Sequence, residues 1–251
     1  MMTTMTTRMT TMTAYLFNTN PLKLGEVRNT NNCGPLKVIK LKGCKVEVEF
    51  EETGFRTTTI WQWVIAGSVK DPYARTVFEE GYLGEGKFHR NTNEYALWKA
   101  MLQRVHTRSS YAEVRVSERW TCLQNFGDDI NRMINYNVPD FQLDKDILFP
   151  YNKVYSRTKC CFIPREVNAA LTSISTDKKS GVYVTRSGKW EVKLYEFGKL
   201  TNRKIFSDRD IAIEFRLKRK ADYLKRLAKK YKEDLPRLGY ENLKSGVFLP
   251  F

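Results

Sequence analysis

The chain has 251 residues and a formal charge of +15, with 41% hydrophobic and 13% aromatic residues. This content can bury more than one core, so a wholly disordered chain is excluded. The longest apolar runs are only a few residues, far short of the about 20 that a membrane-spanning helix needs, and we expect no membrane partner. The charge is uneven, because residues 177–232 hold 18 Lys/Arg and 7 Asp/Glu, a net of +11, which leaves +4 elsewhere.

Residues 1–21 are rich in threonine and methionine and are expected to form a disordered tail. They lack the apolar segment of a secretory signal, and one arginine among threonines is a poor match to a mitochondrial presequence. Five cysteines without C-x-x-C spacing and only two histidines argue against a four-ligand zinc site. An odd number of cysteines without a signal favours reduced thiols in a cytoplasmic compartment.

Residues 22–80 are predicted to form a small β module. Apolar and polar residues alternate over 38–41 and 44–51, on either side of the turn Lys42-Gly43. Another strand is predicted at 55–60. Aromatic side chains that follow it could close a small barrel core: Trp61, Trp63, Tyr73 and Phe78. The glycine-rich segment at 81–86 marks the end of this module.

A second module is predicted over residues 81–175. The spacing of apolar residues indicates a helix over 93–106 with Asn93 as its N-cap, and a second helix over 123–136. A strand at 141–147, a loop through Asn152, a strand at 160–163 and a helix from Pro164 should follow.

Four oxygen-bearing side chains in this strand–strand–helix unit could bind one Mg²⁺ ion, which prefers oxygen ligands. Asp144 and Asp146 should share one face of the first strand, because strand side chains alternate with period two. Asn152 lies in the loop and Asn168 in the helix. Spacing alone does not decide whether these four residues form a metal site, because Asp and Asn are more often turn and cap residues.

A third module is predicted over residues 176–235. The runs GVYVTR and KWEVKLYEF on either side of Ser187-Gly188 predict a hairpin, and residues 203–206 a third strand. Ser207 or Asp208 should cap a long helix that reaches about Lys232. Residues 236–251 are predicted to be a tail whose apolar end could dock back. The expected fold class is therefore α+β with several modules.

Residues 141–168, FQLDKDILFPYNKVYSRTKCCFIPREVN, together with Tyr95-x-x-Trp98-x-x-Met101 and Trp120…Phe126, resemble phage-encoded proteins of the HNH (His-Asn-His) homing-endonuclease group. The resemblance implies double-stranded DNA as partner, a bacterial host cytoplasm, and Mg or Mn as cofactor if the site is catalytic. It assigns catalytic positions to Asp144, Asp146 and Asn152, and metal-binding positions to Asp146 and Asn168. Leu143 and Asp144 stand where the group has a metal-binding aspartate and a general-base histidine. Members with so degenerate a motif are similar to DNA binders, so cleavage is expected to be weak or lost.

Residues 180–232 resemble the Apetala-type DNA-binding domain, through Gly181-Val182-Tyr183, Trp190 and the helix containing Ala212. In that family the sheet lies in the major groove, where base edges are distinguishable. The resemblance implies that cations and Trp190 of the sheet face DNA. Cations of the helix are expected to contact phosphates or to be exposed to solvent. The DNA-binding set is Arg186, Lys189, Trp190, Lys193, Arg203, Lys204, Arg216, Arg219 and Lys220. In the simplest competing interpretation, Trp190 is a core residue and the lysines are only solvated.

Three functions remain open at this point. The first is a DNA-binding protein of the HNH homing-endonuclease group with little or no cleavage. The second is an active nicking endonuclease that depends on Mg or Mn. The third is a phage protein that binds an acidic host protein through its basic C-terminal region.

Overall fold

The computed structural model describes residues 20–172, 181–196 and 198–249. Helices and several separate sheets alternate along the chain, which confirms the predicted multi-module α+β class. The described residues up to His106, with Thr121–Gln124, form one compact unit, and Thr107–Trp120 with those from Asn125 onward form a second. The predicted N-terminal tail falls almost entirely on residues outside the described ranges.

The first unit contains a four-stranded antiparallel meander. Its strands are β1 (Val27–Asn29), β2 (Pro35–Lys42), β3 (Lys45–Phe50) and β4 (Arg56–Ile60), paired in chain order. The buried face carries mainly Leu36, Val38, Val46, Val48 and Phe50. The sheet is open, because β1 and β4 are its two edges, so the predicted barrel is wrong. Trp63, in the short helix α1 (Trp61–Ile65), is 56% exposed and belongs to no barrel core.

The helix α2 (Asn93–Thr107) completes this unit and buries Trp98, Met101 and Leu102. Thr92 and not Asn93 caps it, because the Thr92 hydroxyl accepts a hydrogen bond from the Tyr95 N–H at 3.3 Å. A Cβ atom on Gly81 would collide with the side chains of Trp98 and Leu102, so only glycine allows this close approach of the chain to the helix.

Short elements connect to the strand–strand–helix unit. They are a 3₁₀ turn (Ser109–Tyr111), β5 (Arg115–Val116), α3 (Glu118–Thr121) and α4 (Leu123–Ile130). The helix α4 ends six residues before the predicted end at residue 136. β5 pairs in parallel with β7 (Val154–Tyr155).

The predicted strand–loop–strand–helix order is found at residues 141–172. β6 (Phe141–Asp144) pairs antiparallel with β8 (Cys161–Pro164), and α5 (Arg165–Thr172) follows without a gap. We call residues 141–172 the ββα module. The strand β6 ends three residues earlier than predicted, and this changes where Asp146 lies.

The C-terminal elements are β9 (Val182–Val184), β10 (Trp190–Glu196), β11 (Lys199–Phe206), α6 (Arg209–Lys230) and α7 (Arg237–Ser245). The three strands form an antiparallel sheet in the order β11-β10-β9, which we call the C-terminal sheet. One face of it packs on α6 through Val182, Val192, Leu194 and Ala212.

The same long helix also packs on the ββα module. Ile147, Ile163 and Val167 share a core with Leu224 and Leu227 of α6. The segment predicted as a C-terminal tail contains α7, and its Leu243, Phe248 and Leu249 are buried in that core. The prediction of a tail is therefore wrong for the described residues up to Leu249, whereas the docking of its apolar end is confirmed for Phe248 and Leu249.

Candidate nucleic-acid interface

Asp144 is the last residue of β6, and its carboxylate holds the turn that follows. Its Oδ1 accepts hydrogen bonds from the backbone N–H groups of Asp146 at 2.9 Å and Ile147 at 2.7 Å. Asp144 is 6% exposed. Burial, with a smaller contribution from the nearby Asp146 charge, raises the pKa of the Asp144 carboxyl to about 6.

Two cysteines lie near Asp144, because Cys161 is paired with it across the sheet and Cys160 precedes Cys161. Burial raises the pKa of the Cys160 thiol to about 12, and burial together with Asp144 raises the pKa of the Cys161 thiol as well. Both are free thiols that stay protonated at neutral pH. Cysteine chemistry at this site is therefore not favoured.

Asp146 lies in the turn after β6 and not on the strand face shared with Asp144. Both of its carboxylate oxygens accept hydrogen bonds from the Lys145 ammonium, at 2.7 and 2.8 Å. Lys145 is 8% exposed, donates a third bond to the Asn152 carbonyl at 2.8 Å, and sits 5.8 Å from the Tyr111 ring centre. The expectation that the two aspartates share a strand face is wrong, because the turn begins at Asp144.

Asn152 crosslinks the two ends of the loop. Its amide nitrogen donates to the carbonyls of Lys145 at 2.9 Å and Val154 at 2.7 Å, and its amide oxygen accepts from the Val154 N–H at 3.1 Å. Asn152 is buried. These bonds satisfy the whole amide group, so Asn152 stabilises the loop.

Asn168, on α5, bonds to the Gln142 side chain at 2.8 Å. Asp146 and Asn152 are thus linked through Lys145, whereas Asp144 bonds to the backbone of the turn and Asn168 to Gln142. Among the described residues, no group of three or more His, Cys, Asp or Glu side chains is placed to hold a metal ion. With the Lys145 ammonium on both oxygens of Asp146, the arrangement does not fit a Mg or Mn site, and the metal stays a prediction from resemblance.

The C-terminal sheet has one face covered by α6 and one open face. Val192 and Leu194 point to the helix, so Glu191, Lys193 and Tyr195 point away from it, because strand side chains alternate. The register places Arg203 opposite Lys193, and Ile205 opposite Glu191. These residues define the open face.

The open face is both basic and aromatic. Tyr183 is 53% exposed, Tyr195 60% and Ile205 52%. The Lys193 ammonium lies 5.6 Å from the Tyr183 ring centre, on the same side of the sheet. Exposed aromatic rings beside cations offer both stacking and charge to a ligand.

Glu191 lies at the centre of this face and positions its two cations. Its carboxylate contacts the Arg203 guanidinium at 2.5 Å and the Lys193 ammonium at 3.1 Å. The Arg203 and Lys193 partners lower the pKa of the Glu191 carboxyl. Two cations on one carboxylate leave this centre with a positive excess.

Trp190 and Lys204 do not lie on the open face. Trp190 packs beside the core under α6, with the Arg209 guanidinium 5.5 Å from its ring centre. Lys204 is opposite the buried Val192 and lies 5.1 Å from the Phe215 ring centre. Both occupy the helix-facing side of the sheet, not the side of Lys193 and Arg203, and their contact with DNA stays a prediction.

Arg186 and Lys189 lie on the turn that joins β9 to β10, at one end of the sheet. Both are exposed. The Lys189 N–H donates to the Thr185 hydroxyl at 3.0 Å, which closes the turn and leaves the lysine side chain at the rim. These two cations therefore flank the open face.

The predicted helix cations divide into two kinds. Arg216 is 7% exposed and Lys220 5%, so the expectation that they are exposed phosphate contacts is wrong. They lie one helical turn apart, in line with Ala212 and Tyr223 on the inner face of α6. Arg219 is half-buried, whereas Lys218 is exposed.

Sequence reasoning missed Tyr195, Glu191 and Ile205 of the open face, and Lys145 of the loop. The period-two pattern in β10 contained the signal for the first two, because Val192 and Leu194 mark the buried face. Nothing in the sequence indicates that Lys145 turns inward onto Asp146.

Comparisons with known proteins leave the family open: no family model matches the chain, nor does any curated protein or solved structure. None of the helices within the described ranges is long and apolar enough to cross a membrane.

Proposed function

We propose that this protein binds double-stranded DNA through the open face of the C-terminal sheet. The observation that carries the proposal is the pair of cations that Glu191 positions, the half-buried Lys193 and the exposed Arg203, with the exposed rings of Tyr183 and Tyr195 beside them. One face of an antiparallel sheet is commonly solvated and polar, so charge alone would not distinguish this face. The exposed rings of Tyr183 and Tyr195 beside the cations do distinguish it.

The dimensions of the sheet fit a groove of DNA. Neighbouring strands lie about 4.8 Å apart, so three strands span about 10 Å between the outer backbones. The major groove of B-DNA is about 12 Å wide and admits an α-helix or a two-stranded β-ribbon, so two of the three strands could enter it together. Arg186 and Lys189, at the rim, are suited to phosphate contacts that set the register on the duplex.

The charge distribution supports the same partner. Residues 177–232 carry a net charge of +11, and most of the remaining surface is nearly neutral by comparison. Neutralising phosphates releases condensed counterions and makes binding strongly dependent on salt. Such concentration of charge around one sheet and one helix is typical of a nucleic-acid-binding module.

Arg203 gives this face a group that can contact base edges as well as phosphates, because arginine pairs with guanine in the major groove. Glu191 is only 8% exposed and contacts the Arg203 guanidinium and the Lys193 ammonium, so its role is to position these two cations.

DNA cleavage is not included in this proposal. The Lys145 ammonium on Asp146, the two backbone N–H groups on Asp144 and the loop-closing bonds of Asn152 give these side chains structural roles. The nicking endonuclease, its Mg or Mn cofactor and the bacterial host cytoplasm stay predictions from the HNH resemblance. A plasmid-nicking assay with either metal tests the endonuclease and its cofactor.

The proposal is tested by fluorescence anisotropy with the full chain and a labelled mixed-sequence duplex between 50 and 200 mM salt. We expect affinity to fall by about 10³-fold or more over this range, as for a protein that contacts six or more phosphates. No binding to the duplex, or binding that hardly depends on salt, would overturn the proposal. Either result would favour the acidic host protein as partner.

A further inference from the structure

Lys145 places a buried cation in the loop that joins β6 to β7. Its side chain is 10% exposed, whereas that of Lys153, at the other end of the same loop, is 54% exposed. A lysine ammonium is rarely buried, because removal from water disfavours the charge unless other groups replace the water. The partners of Lys145 therefore indicate what this position in the ββα module holds.

The Lys145 ammonium has one acceptor for each of its three hydrogens. Asp146 Oδ1 accepts at 2.7 Å, Asp146 Oδ2 at 2.8 Å and the Asn152 carbonyl oxygen at 2.8 Å. A lysine ammonium has three donors and no acceptor, so these three oxygens satisfy it completely. The Asp146 carboxylate also supplies the opposite charge that a buried cation requires.

An aromatic ring completes the surroundings of the ammonium. Its nitrogen lies 5.8 Å from the centre of the Tyr111 ring, within the about 6 Å at which a ring face attracts a cation. Tyr111 belongs to the 3₁₀ turn that precedes β5. The ammonium thus connects this turn to both ends of the loop between β6 and β7.

The same donor set is poorly matched to a Mg²⁺ ion. Mg²⁺ requires nearly octahedral oxygen ligands at about 2.0–2.1 Å. Two of the three oxygens here belong to one carboxylate, and Asp144 Oδ1 nearby already accepts from the N–H groups of Asp146 and Ile147. A ring face, in contrast, is a usual partner of ammonium groups. Three acceptors and one ring suit an ammonium better than a metal ion.

We propose that this position is an ammonium site, in which Lys145 supplies the cation that holds the loop of the ββα module in place of a metal ion. The ligand class is a primary ammonium group, which the protein carries on its own chain. The site is independent of the DNA proposal, because the open face of the C-terminal sheet contributes none of these residues. Either proposal can therefore fail without the other.

The first experiment measures lysine acetylation in the wild-type full chain with and without Mn²⁺. Lys145 should react at least tenfold more slowly than Lys153, because its amine is buried and bonded to three oxygens. Millimolar Mn²⁺ should leave both rates unchanged. A smaller difference between the two lysines, or a faster reaction of Lys145 when Mn²⁺ displaces it, would overturn the proposal.

The second experiment removes the ammonium by Lys145→Ala. The thermal midpoint should fall by about 5–10 °C, because Asp146 and the Asn152 carbonyl lose a buried partner. Lys153→Ala is the matched control. It breaks an ion pair with Glu113 whose side chains are 54% and 80% exposed, and it should lower the midpoint by less than about 2 °C.

Chemical rescue of Lys145→Ala then identifies the ligand class. Propylammonium supplies the three carbons and the ammonium that the substitution removes, and it should restore at least half of the lost midpoint. The uncharged n-propanol and Mn²⁺ should not, and Lys153→Ala should not distinguish propylammonium from n-propanol. Equal rescue by Mn²⁺, or no rescue by propylammonium, would overturn the proposal. If Lys145→Ala does not fold, the acetylation experiment on the wild type decides it.

Discussion

The ββα module and the C-terminal sheet use their polar residues in opposite ways. In the module, Asp144, Lys145 and Asn152 are buried and bonded to the loop that they close. On the sheet, the Glu191 carboxylate is also buried, but the Arg203 guanidinium that it holds is exposed, as are Tyr183 and Tyr195 beside it. Residues of similar chemistry thus stabilise a fold in one region and are available to a ligand in the other. The difference lies in burial and partners, which residue type alone does not reveal.

The largest expected effect is a loss of stability at Asn152, which tests whether the polar residues of the ββα module are structural. Asn152→Ala removes three hydrogen bonds and leaves two buried carbonyls and one N–H without that partner. With about 1 kcal/mol per bond and more for unsatisfied groups, the free energy of unfolding should fall by about 3–4 kcal/mol in urea titrations. Asn168→Ala, which removes a surface bond to Gln142, should cost less than about 1 kcal/mol. Equal losses of stability in the two variants would contradict the structural role assigned to Asn152.

The next effect concerns the pH dependence of stability. The pKa of Asp144 is about 6 in the folded protein, above the about 3.9 of an unfolded aspartate. The folded state therefore holds the proton more tightly, so this stabilisation is complete below pH 4 and is lost as pH rises through 6.

Asp144→Asn removes that titration and keeps an oxygen that can accept both backbone hydrogen bonds. The stability of the wild type relative to this variant should decrease by roughly 2 kcal/mol between pH 4 and pH 7. Urea unfolding across that range measures it. Asn152→Ala perturbs the same loop without removing a titrating group and should keep the wild-type pH dependence. Parallel curves for wild type and Asp144→Asn would contradict the raised pKa.

The third effect concerns the two faces of β11. Arg203→Gln and Lys204→Gln each remove one positive charge from adjacent positions on opposite faces. We expect about a tenfold loss of duplex affinity and a salt slope smaller by about 1 for Arg203→Gln. Lys204→Gln should change affinity less than threefold in the same anisotropy assay. A larger loss of affinity for Lys204→Gln than for Arg203→Gln would mean that DNA binds the helix-facing side of the sheet and not the open face.

The smallest effect concerns the helix that supports the sheet. The Asp208 carboxylate caps α6 by accepting from the N–H groups of Asp210 at 2.8 Å and Ile211 at 2.9 Å. Asp208→Ala should reduce the free energy of unfolding by about 1 kcal/mol, as for other N-cap losses. Ser207→Ala, at the other residue that the sequence allows as a cap, should have almost no effect. The reverse order would mean that the cap is misassigned.

Local patterns predicted much of this fold. Ser187-Gly188 between alternating runs indicated the hairpin, and Gly188 does adopt the left-handed backbone, with φ of 75°, that such a turn requires. Pro164 indicated where the helix of the ββα module begins. Helix ends were less predictable, because α4 stops at Ile130 although apolar residues continue to Tyr136.

The site was predicted less well, because faces and partners depend on packing. The alternation in β10 could have placed Trp190 with Val192 and Leu194, on the buried side. Similarly, the spacing of Arg216 and Lys220 could have placed them in line with Ala212. The ion pair of Lys145 with Asp146 requires the tertiary fold, and no spacing in the sequence encodes it.

Lysine footprinting of the full chain with and without a saturating duplex tests the central claim most directly. Acetylation rates at Lys193, on the open face, and Lys189, at its rim, should fall at least fivefold when DNA is bound. Rates at Lys204, on the helix side, and at Lys218, exposed on α6, should change less than twofold. Protection of Lys204 or Lys218 with Lys193 unchanged would contradict the claim that the open face of the C-terminal sheet binds DNA.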